Sequence, residues 1–325
     1  MEGSSNRLGL AVVMEAFLDC SKETVMDLLA SSAPFVTGLE VGAGGYAPHP
    51  HCDVYLLLRD PDERRRWLDG ITGRGFEVAA LNAWGNPLHP DPDVGPRHDR
   101  ALRDAIRLAT ELGVTRVVAM AGCPPATPGD STPHFAAGGW LPYLEDVYER
   151  QWWDAIEPYW SALAAFAQSV NPDLRVCLEL HPGTSVFNVE TFERVAALGP
   201  SIAANLDPSH FMWMGMDAHA VARRIAPRVG HVHGKDVVFH ESLLALNGLL
   251  DRRWPKPADD MPWTFAVPGH GHDLEWWRGL LAALTGSEVR YVSIEHEDPF
   301  VAAEDGVPEA ARLLAAAMDA EAAGR

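Results

Sequence analysis

The chain has 325 residues, and acidic side chains outnumber basic ones by 45 to 26, which gives a formal net charge of −19. A protein with this much negative charge repels the phosphates of nucleic acids and of anionic lipids. We therefore expect no nucleic-acid partner and no membrane partner. A hydrophobic content of 47% with 22% charged residues is ordinary for a globular protein and excludes an intrinsically disordered chain.

Cysteine spacing and the first apolar run bear on the compartment. The four cysteines form no Cys-x-x-Cys pair, which argues against a zinc ribbon or a thioredoxin motif and fits a reducing compartment. The run from Leu8 to Met14 is far too short to span a bilayer, and we interpret it as a first buried strand. We therefore expect a cytoplasmic protein.

Eight short apolar runs are predicted strands. They are four to eight residues long when residues 229–230 and 289–290 are counted with the last two. In chain order they are Leu8–Val13, Val36–Val41, Glu77–Leu81, Arg116–Met120, Arg175–Leu180, Ile202–Leu206, His231–His233 and Tyr291–Glu295. Helical periodicity predicts helices over Ser21–Leu29, Arg97–Leu112, Gln151–Val170, Val189–Leu198, Asp217–Ile225, Asp273–Leu284 and Val307–Ala322. The alternation predicts one α/β domain over residues 1–325, a (β/α)8 TIM barrel. The alternative is an open doubly wound sheet, but no Gly-x-Gly-x-x-Gly fingerprint follows the first strand.

Two connections are unusually long, Gly122–Arg150 after the fourth strand and Val237–His272 after the seventh. Connections that follow a strand lie at the C-terminal face of a barrel, where active sites are built. We therefore expect both long loops to cover the same pocket.

Four polar side chains fall near the C-terminal ends of the last four predicted strands: Glu179, Asp207, His233 and Glu295. In a closed barrel such ends converge, and three carboxylates with one imidazole suit a hard divalent cation such as Mn²⁺, Mg²⁺, Co²⁺ or Zn²⁺. Without a cation the carboxylates would repel one another at close range. His231 is an alternative to His233, because both point to the same side of the strand.

Six short motifs occur in order along nearly the whole chain. They are Asn86-Pro-Leu-His-Pro90, Glu179-Leu-His-Pro-Gly183, Asn205-Leu-Asp-Pro-Ser-His210, His231-Val-His-Gly-Lys-Asp236, Gly269-His-Gly-His-Asp273 and Ser293-Ile-Glu-His-Glu-Asp298. With these motifs the chain resembles the sugar phosphate isomerase/epimerase group of the xylose-isomerase-like TIM barrel superfamily.

The resemblance implies one divalent metal ion, Mn²⁺ above all, on Glu179, Asp207, His233 and Glu295. In the ketose 3-epimerases of that superfamily the two glutamates are also the acid/base pair, and the residue matching His210 contacts the substrate. The implied chemistry removes a proton beside a sugar ketone and gives a metal-stabilised enediolate, so that reprotonation yields an isomer or an epimer.

The chain departs from those epimerases after His233, where they carry a substrate-binding arginine and this sequence reads Gly234-Lys235-Asp236. Some relatives instead cleave 3-keto-glycosides, including C-glycosides, by β-elimination, and they resemble this chain in the histidine of a Glu-x-His motif. The alternative function is therefore a keto-glycoside lyase with His181 as the base.

The remaining expectations concern the substrate and the partners. Beside His210, the candidate substrate-binding residues are Lys235, His272, Asn82 and His89. We expect a small-molecule sugar or keto-glycoside as ligand and a homo-oligomer, with a small partner subunit as an option. A non-catalytic sugar-binding barrel stays open as a further alternative. The superfamily also contains an endonuclease for abasic DNA, a function that the charge of −19 disfavours.

Overall fold

A computed structural model describes residues 8–137, 141–250 and 257–323. Ten strands are present in these ranges. They are β1 Gly9–Val13, β2 Val36–Gly42, β3 Glu77–Ala83, β4 Arg116–Met120, β5 Arg175–Glu179, β6 Ile202–Leu206, β7 Val229–Gly234, β8 Asp236–Phe239, β9 Trp263–Ala266 and β10 Tyr291–Ile294. Eight of them close into a barrel in the order β1-β10-β7-β6-β5-β4-β3-β2. The predicted (β/α)8 barrel is confirmed, and every predicted apolar run is one of its strands.

The barrel closes through its first and last strands, which pair in parallel from Gly9 opposite Tyr291 to Val12 opposite Ile294. An open doubly wound sheet leaves two edge strands, so this pairing excludes it. The strands are buried along nearly their whole length, as expected where helices cover the outer face and side chains fill the interior. The apolar runs in the sequence are the direct consequence of that burial.

Twelve α-helices lie in the described ranges. They are α1 Lys22–Ser32, α2 Val54–Arg59, α3 Pro61–Thr72, α4 Val94–Leu112, α5 Pro142–Gln151, α6 Glu157–Val170, α7 Val189–Ala196, α8 Pro208–Trp213, α9 Ala218–Ile225, α10 Glu241–Asn247, α11 Leu274–Ala283 and α12 Ala303–Ala323. Side-chain oxygens of Ser21, Asp217 and Asp273 cap α1, α9 and α11, where the sequence predicts helix starts. The segment Gln151–Val170, predicted as one helix, contains a short π-helix, Trp152–Ile156, and continues as α6.

Both long connections follow the strands predicted to carry them, β4 and β7, and each contains secondary structure of its own. The first contains α5, and the second contains an antiparallel hairpin in which Asp236 pairs with Ala266 and Phe239 with Trp263. The hairpin was not predicted, because its strands of four residues are too short to show an alternating pattern. Whether the two connections cover one pocket stays a prediction.

Packing divides the chain into two compact units. The first comprises residues 1–40, 74–79 and 206–325, and in it α12 packs on β1 and on α11, and α11 packs on α9. The second comprises residues 41–73 and 80–205, and in it α4 packs on α2, on α6 and on β4. The single domain stays a prediction. In the described ranges no helix combines the length and the apolar character needed to cross a membrane.

Candidate metal centre

Three of the predicted metal ligands meet at neighbouring strand ends. His233 lies in β7, whereas Glu295 directly follows β10 and Asp207 directly follows β6. The pairing of β7 with β10 sets His233 beside Ser293, two residues before Glu295. All three side chains are buried, and Nδ1 of His233 lies 2.9 Å from Oε2 of Glu295. Parallel pairing thus brings an imidazole and a carboxylate into contact although 62 residues separate them.

A lysine ammonium group contacts two of these carboxylates. Nζ of Lys235 lies 3.1 Å from Oδ2 of Asp207 and 2.8 Å from Oε2 of Glu295, and it donates to Oε2 of Glu297 at 2.9 Å. The ring of Phe265, from β9, lies 4.4 Å from the same nitrogen. Lys235 is only 2% exposed, so its charge is held in the interior by these carboxylates and the aromatic face.

A fourth carboxylate, Glu40 of β2, stands among these residues and was missed from the sequence. Its side chain is fully buried, and Nε2 of His231 lies 2.8 Å from its Oε2. Nε2 of His233 lies 3.2 Å from each of its two oxygens. The available signal was a single acidic residue inside an otherwise uncharged strand, Val36–Gly42. A buried carboxylate needs a charged or hydrogen-bonding partner, and here it has two imidazoles.

Burial and charge act in opposite directions on these groups. Burial raises the pKa of Glu40, but the imidazoles of His233 and His231 outweigh it, so the pKa lies well below the ordinary value. Burial lowers the pKa of His233, but the Glu40 and Glu295 carboxylates leave it well above its usual range. Burial raises the pKa of Asp207, but Lys235, His210 and His233 nearby outweigh it, so the pKa lies below its ordinary value. Glu40 and Asp207 are therefore ionised at neutral pH.

Glu15 is the exception to that pattern, and it too was missed from the sequence. It lies in a 3₁₀ turn, Met14–Phe17, directly after β1. Burial raises its pKa to about 8, and the nearby Glu40 carboxylate adds to the increase. Its Oε2 atom is buried and has no hydrogen-bond partner among the described residues. At neutral pH this carboxyl group is mostly protonated.

The other predicted ligand, Glu179, is the last residue of β5 and is buried. Nδ2 of Asn205 donates a hydrogen bond to its Oε2 at 3.4 Å, and the pairing of β5 with β6 places these two residues side by side. His181 follows two residues later and is half-buried. Its Nδ1 donates to the carbonyl oxygen of Pro182 at 2.6 Å, which leaves Nε2 as the basic nitrogen of the ring.

Within the first unit, the buried side chains of Glu40, His231 and His233 offer ligand atoms that all lie within 4.8 Å of one another. Of the predicted ligand set, Asp207, His233 and Glu295 belong to this unit, and Glu179 belongs to the second. The strands that carry the predicted set are consecutive in the barrel order β10-β7-β6-β5. Three carboxylates and an imidazole suit a hard divalent cation, and ligands on opposite sides of such an ion stand about 4.2 Å apart at bonds of about 2.1 Å. The residues therefore fit a divalent cation.

The predicted substrate-binding residues lie in different surroundings. His210 of α8 is buried, with Nε2 3.4 Å from Oδ2 of Asp207, and burial lowers its pKa to about 4. His272 contacts Asp236 through Nδ1 at 2.6 Å. Asn82 of β3 is buried and accepts from the backbone of Trp84, and His89 accepts from the backbone of Asp91 in its own loop. Among the five predicted substrate-binding residues, the hydrogen bonds and ion pairs described join only His210 and Lys235 to a predicted metal ligand.

The Asn86–Pro90 motif, singled out in the sequence, has a structural role in the second unit. Oδ1 of Asn86 accepts from the backbone N–H groups of Leu88 and Cys123, and its Nδ2 donates to the carbonyl oxygen of Cys123. The motif thereby joins the loop after β3 to the loop after β4.

Comparison with known proteins decides the family. Residues 39–317 match the family described as xylose isomerase-like TIM barrel. The chain belongs to this family. It is 34% identical over 281 residues to the uncharacterized protein YfiH of Bacillus subtilis (strain 168), an alignment that covers 85% of this chain and 89% of that protein.

Solved structures with low sequence identity share the fold. A probable 3-DHS dehydratase, AsbF of Bacillus anthracis, superposes with a TM-score of 0.63 at 13% identity, covering 95% of this chain and 99% of that one. The IolI protein with a bound zinc atom gives a TM-score of 0.60 at 17% identity, covering 95% and 96%. The 3-keto-D-glucoside 4-epimerase YcjR of E. coli gives 0.60 at 12% identity, covering 96% and 100%. At these identities the likeness is one of fold.

Proposed function

We propose that this protein is a metal-dependent sugar isomerase or epimerase that removes a proton from the carbon next to a sugar ketone. The observation that carries the proposal is the meeting of Asp207, His233 and Glu295 at strand ends: Nδ1 of His233 lies 2.9 Å from Oε2 of Glu295, and Nζ of Lys235 lies within 3.1 Å of both carboxylates. Glu179, the last residue of β5, is the proposed fourth ligand. Membership of the xylose isomerase-like family supports the same reading. The proposed substrate is a small sugar, and the proposed cation is Mn²⁺, with Mg²⁺, Co²⁺ or Zn²⁺ as alternatives.

When bound, the cation polarises the substrate ketone and stabilises the negative charge that develops on its oxygen. Glu179 and Glu295 are the acid/base pair. One of them takes the proton from the carbon beside the ketone, and the substrate becomes an enediolate. Return of a proton to the opposite face gives the epimer, whereas return to the neighbouring carbon gives the isomer. In both outcomes every proton removed is replaced, so no co-reactant is needed.

Two buried groups beside these carboxylates are suited to hold the sugar. The ammonium group of Lys235 contacts Asp207 and Glu295, and it can donate to a substrate oxygen bound beside them. His210, at 3.4 Å from Asp207, is desolvated and neutral at physiological pH, so it can exchange a hydrogen bond with a hydroxyl group without adding charge.

The second candidate function is a 3-keto-glycoside lyase, and His181 favours it. A histidine two residues after Glu179 that donates from Nδ1 to a backbone carbonyl has its lone pair on Nε2, the nitrogen that would act as the base. Removal of the proton beside the ketone would then be followed by loss of the group on the next carbon, with release of an aglycone and formation of a carbon–carbon double bond. The lyase and the isomerase thus share the first step and differ in the fate of the enediolate.

Incubation with free keto sugars and with 3-keto-glycosides in D₂O, with Mn²⁺ supplied, tests the proposal. A new sugar isomer with deuterium beside the ketone supports the isomerase or epimerase, and an aglycone with an unsaturated sugar supports the lyase. Both activities should disappear in Glu179→Gln and remain in Glu77→Gln, which changes an exposed carboxylate bound to the Tyr291 hydroxyl. Saturable sugar binding without exchange, isomer or cleavage would contradict enolisation and favour a non-catalytic sugar-binding barrel.

The remaining expectations join this proposal. We propose that residues 1–325 act as a single barrel domain in the cytoplasm, and that the active form is a homo-oligomer. The two long connections after β4 and β7 are proposed to cover the pocket, because loops that follow strands border the active site in barrels of this class. Limited proteolysis with and without bound sugar tests that part.

A further inference from the structure

We propose that Glu40 is a positioning residue that makes Nδ1, and not Nε2, the metal-binding nitrogen of His233. The inference rests on the metal centre proposed above and concerns a residue outside its ligand set. It is carried by the contacts of the two ring nitrogens of His233 and by the pairing that holds the Glu40 carboxylate in place.

The two nitrogens of His233 face different groups. Nε2 lies 3.2 Å from both oxygens of Glu40, whereas Nδ1 lies 2.9 Å from Oε2 of Glu295, one of the proposed ligands. A neutral imidazole has one N–H group, and a carboxylate can only accept. Both nitrogens face a carboxylate, so in the metal-free protein each can donate to its own partner. A cation held by Glu295 would take the place of the proton on Nδ1, and the proton that remains then belongs on Nε2, where it is donated to Glu40.

The position of Glu40 is itself fixed from the other side. Nε2 of His231 lies 2.8 Å from Oε2 of Glu40 and 2.8 Å from Oγ of Ser293. His231 and His233 are two residues apart on β7, so both project to the same side of the strand, with their rings 5.8 Å apart and perpendicular. A chain of contacts thus runs from Ser293 through His231 and Glu40 to the outer nitrogen of His233.

Such an arrangement has a known effect on a metal-binding histidine. A carboxylate that accepts from the non-ligating nitrogen fixes the ring orientation and the tautomer and increases the basicity of the ligating nitrogen, and its loss typically weakens metal binding by about 10–100-fold. Gln in place of Glu40 has nearly the same volume but no charge and a single acceptor oxygen. Its amide group has N–H donors in place of the second acceptor oxygen, so it holds the two histidines less strongly than the carboxylate does.

A competing interpretation is that Glu40, His231 and His233 bind a cation themselves, since their ligand atoms lie within 4.8 Å of one another. The two interpretations differ in the number of ions and in the nitrogen used. Positioning by Glu40 requires one ion per chain, bound through Nδ1 of His233. A separate site at Glu40 adds a second ion and engages Nε2.

The experiment is a Zn²⁺ titration against a chromogenic chelator, followed by ¹⁵N NMR of histidine-labelled protein, on the full chain, Glu40→Gln and the control Glu77→Gln. We expect one Zn²⁺ per chain for the wild type and for Glu77→Gln, with binding about 10–100-fold weaker in Glu40→Gln. On Zn²⁺ addition the Nδ1 resonance of His233, assigned by its absence in His233→Gln, should shift while Nε2 keeps its proton. Circular dichroism of the metal-free proteins checks that the variants are folded.

Several results would overturn the inference. Unchanged Zn²⁺ affinity in a folded Glu40→Gln variant, ligation of His233 through Nε2, or a second Zn²⁺ that is lost in Glu40→Gln each contradict it while leaving the main centre intact. Absence of Zn²⁺ binding by the wild type would overturn the proposed centre as well. Should Glu40→Gln not fold, the NMR spectrum of the wild type decides the question by the nitrogen that shifts.

Discussion

Lys235 places a positive charge against two carboxylates that are proposed to hold a cation. Its ammonium group, 3.1 Å from Asp207 and 2.8 Å from Glu295, neutralises these groups and also repels a divalent ion bound to them. Two unit charges about 4 Å apart interact by up to about 4 kcal/mol at an effective dielectric constant of about 20, so the effect is large enough to measure. Metal affinity and substrate binding therefore place opposite demands on this residue.

We predict that Lys235→Met binds Mn²⁺ about tenfold more tightly than the wild type and turns over keto sugars about 100-fold more slowly, because a donor near the developing charge is lost. Mn²⁺ binding is measured by electron paramagnetic resonance of the free ion, and turnover by the D₂O assay. Lys22→Met, which removes a lysine paired with Glu23 on α1, is the control and should change neither quantity. Weaker Mn²⁺ binding in Lys235→Met would contradict the assigned role.

The buried carboxyl group of Glu15 makes the stability of the metal-free protein, kept in chelator, depend on pH. Its pKa is raised to about 8 by burial and by Glu40, against about 4.3 in an unfolded chain. Between about pH 4.3 and pH 8 the folded state therefore holds a proton that the unfolded state releases. The stabilising contribution of Glu15 to the free energy of unfolding is therefore greatest below about pH 4.3. It decreases as the pH rises toward 8, because keeping this proton in the folded state becomes more costly.

Glu15→Gln removes this dependence, because an amide stays neutral throughout. We predict that the melting temperature of Glu15→Gln relative to the wild type increases by a few degrees between pH 5 and pH 8, measured by differential scanning calorimetry. Glu77→Gln should show no such trend. A constant difference between Glu15→Gln and the wild type over this range would show that Glu15 titrates normally.

What could be predicted about single residues depended on where they lie. Glu179, Asp207 and Glu295 stand at or directly after strand ends, where a polar residue interrupts an apolar run, and that break is visible in the sequence. Glu40 lies inside a strand, where its single charge is the one available signal, and Glu15 lies in a short turn, so neither stands at a strand end. Their importance comes from contacts with residues that are distant in the sequence. Glu40 and His231, for example, are 191 residues apart.

At the scale of elements, Asp236 ties the start of the β8–β9 hairpin to the segment that follows it. The Asp236 carboxylate accepts from the backbone N–H groups of Val237, Gly269, Gly271 and His272, and Nδ1 of His272 lies 2.6 Å from its Oδ1. The chain approaches so closely here that a Cβ at Gly271 would lie 2.0 Å from the carbonyl oxygen of Val237. Asp236 thus fixes the segment that carries Phe265 over Lys235.

We predict that Asp236→Asn loosens this segment, because an amide has one acceptor oxygen where the carboxylate has two. The free energy of unfolding should fall by about 2–3 kcal/mol, in line with loss of hydrogen bonds to a buried charge, and proteolysis within residues 237–272 should accelerate. Urea denaturation and limited proteolysis with mass spectrometry measure the two effects. Asp259→Asn, an exposed residue of the same connection, is the control. Equal proteolysis of Asp236→Asn and the wild type would contradict the role of Asp236 in holding the hairpin.

The barrel strands were predictable because each is apolar over several residues, whereas three kinds of element were not. The hairpin strands and the six-residue helix α2 are too short for a periodic pattern, and α3 lies where the sequence is strongly charged. Helix α8 begins at the Pro208 of a motif interpreted only as a ligand site. In α3 the charged residues cover an exposed face, and the Asp60 side chain caps the first turn. Propensity and capping, rather than apolar periodicity, define these helices.

At the scale of the whole molecule, closure of eight parallel strands brings together strands that lie far apart in sequence. The order β10-β7-β6-β5 makes consecutive neighbours of the strands that carry the proposed ligands Glu295, His233, Asp207 and Glu179. The fold could be predicted from the alternation of strands and helices, whereas the ligand set, which follows from the rule that strand ends converge, stays a prediction. The cation itself and the sugar could not be predicted, because several divalent ions accept the same donors and the substrate is selected by loops whose structure no sequence pattern fixes.

Anomalous diffraction from crystals soaked in Mn²⁺, recorded at the manganese absorption edge, tests the metal centre most directly. We predict one peak per chain, bounded by carboxylate oxygens of Glu179, Asp207 and Glu295 and by Nδ1 of His233, and its loss in Glu295→Gln crystals soaked in the same way. A peak at Glu40 and His231 instead, or no peak near the four residues in crystals of the wild type, would contradict the proposed centre and the chemistry that depends on it.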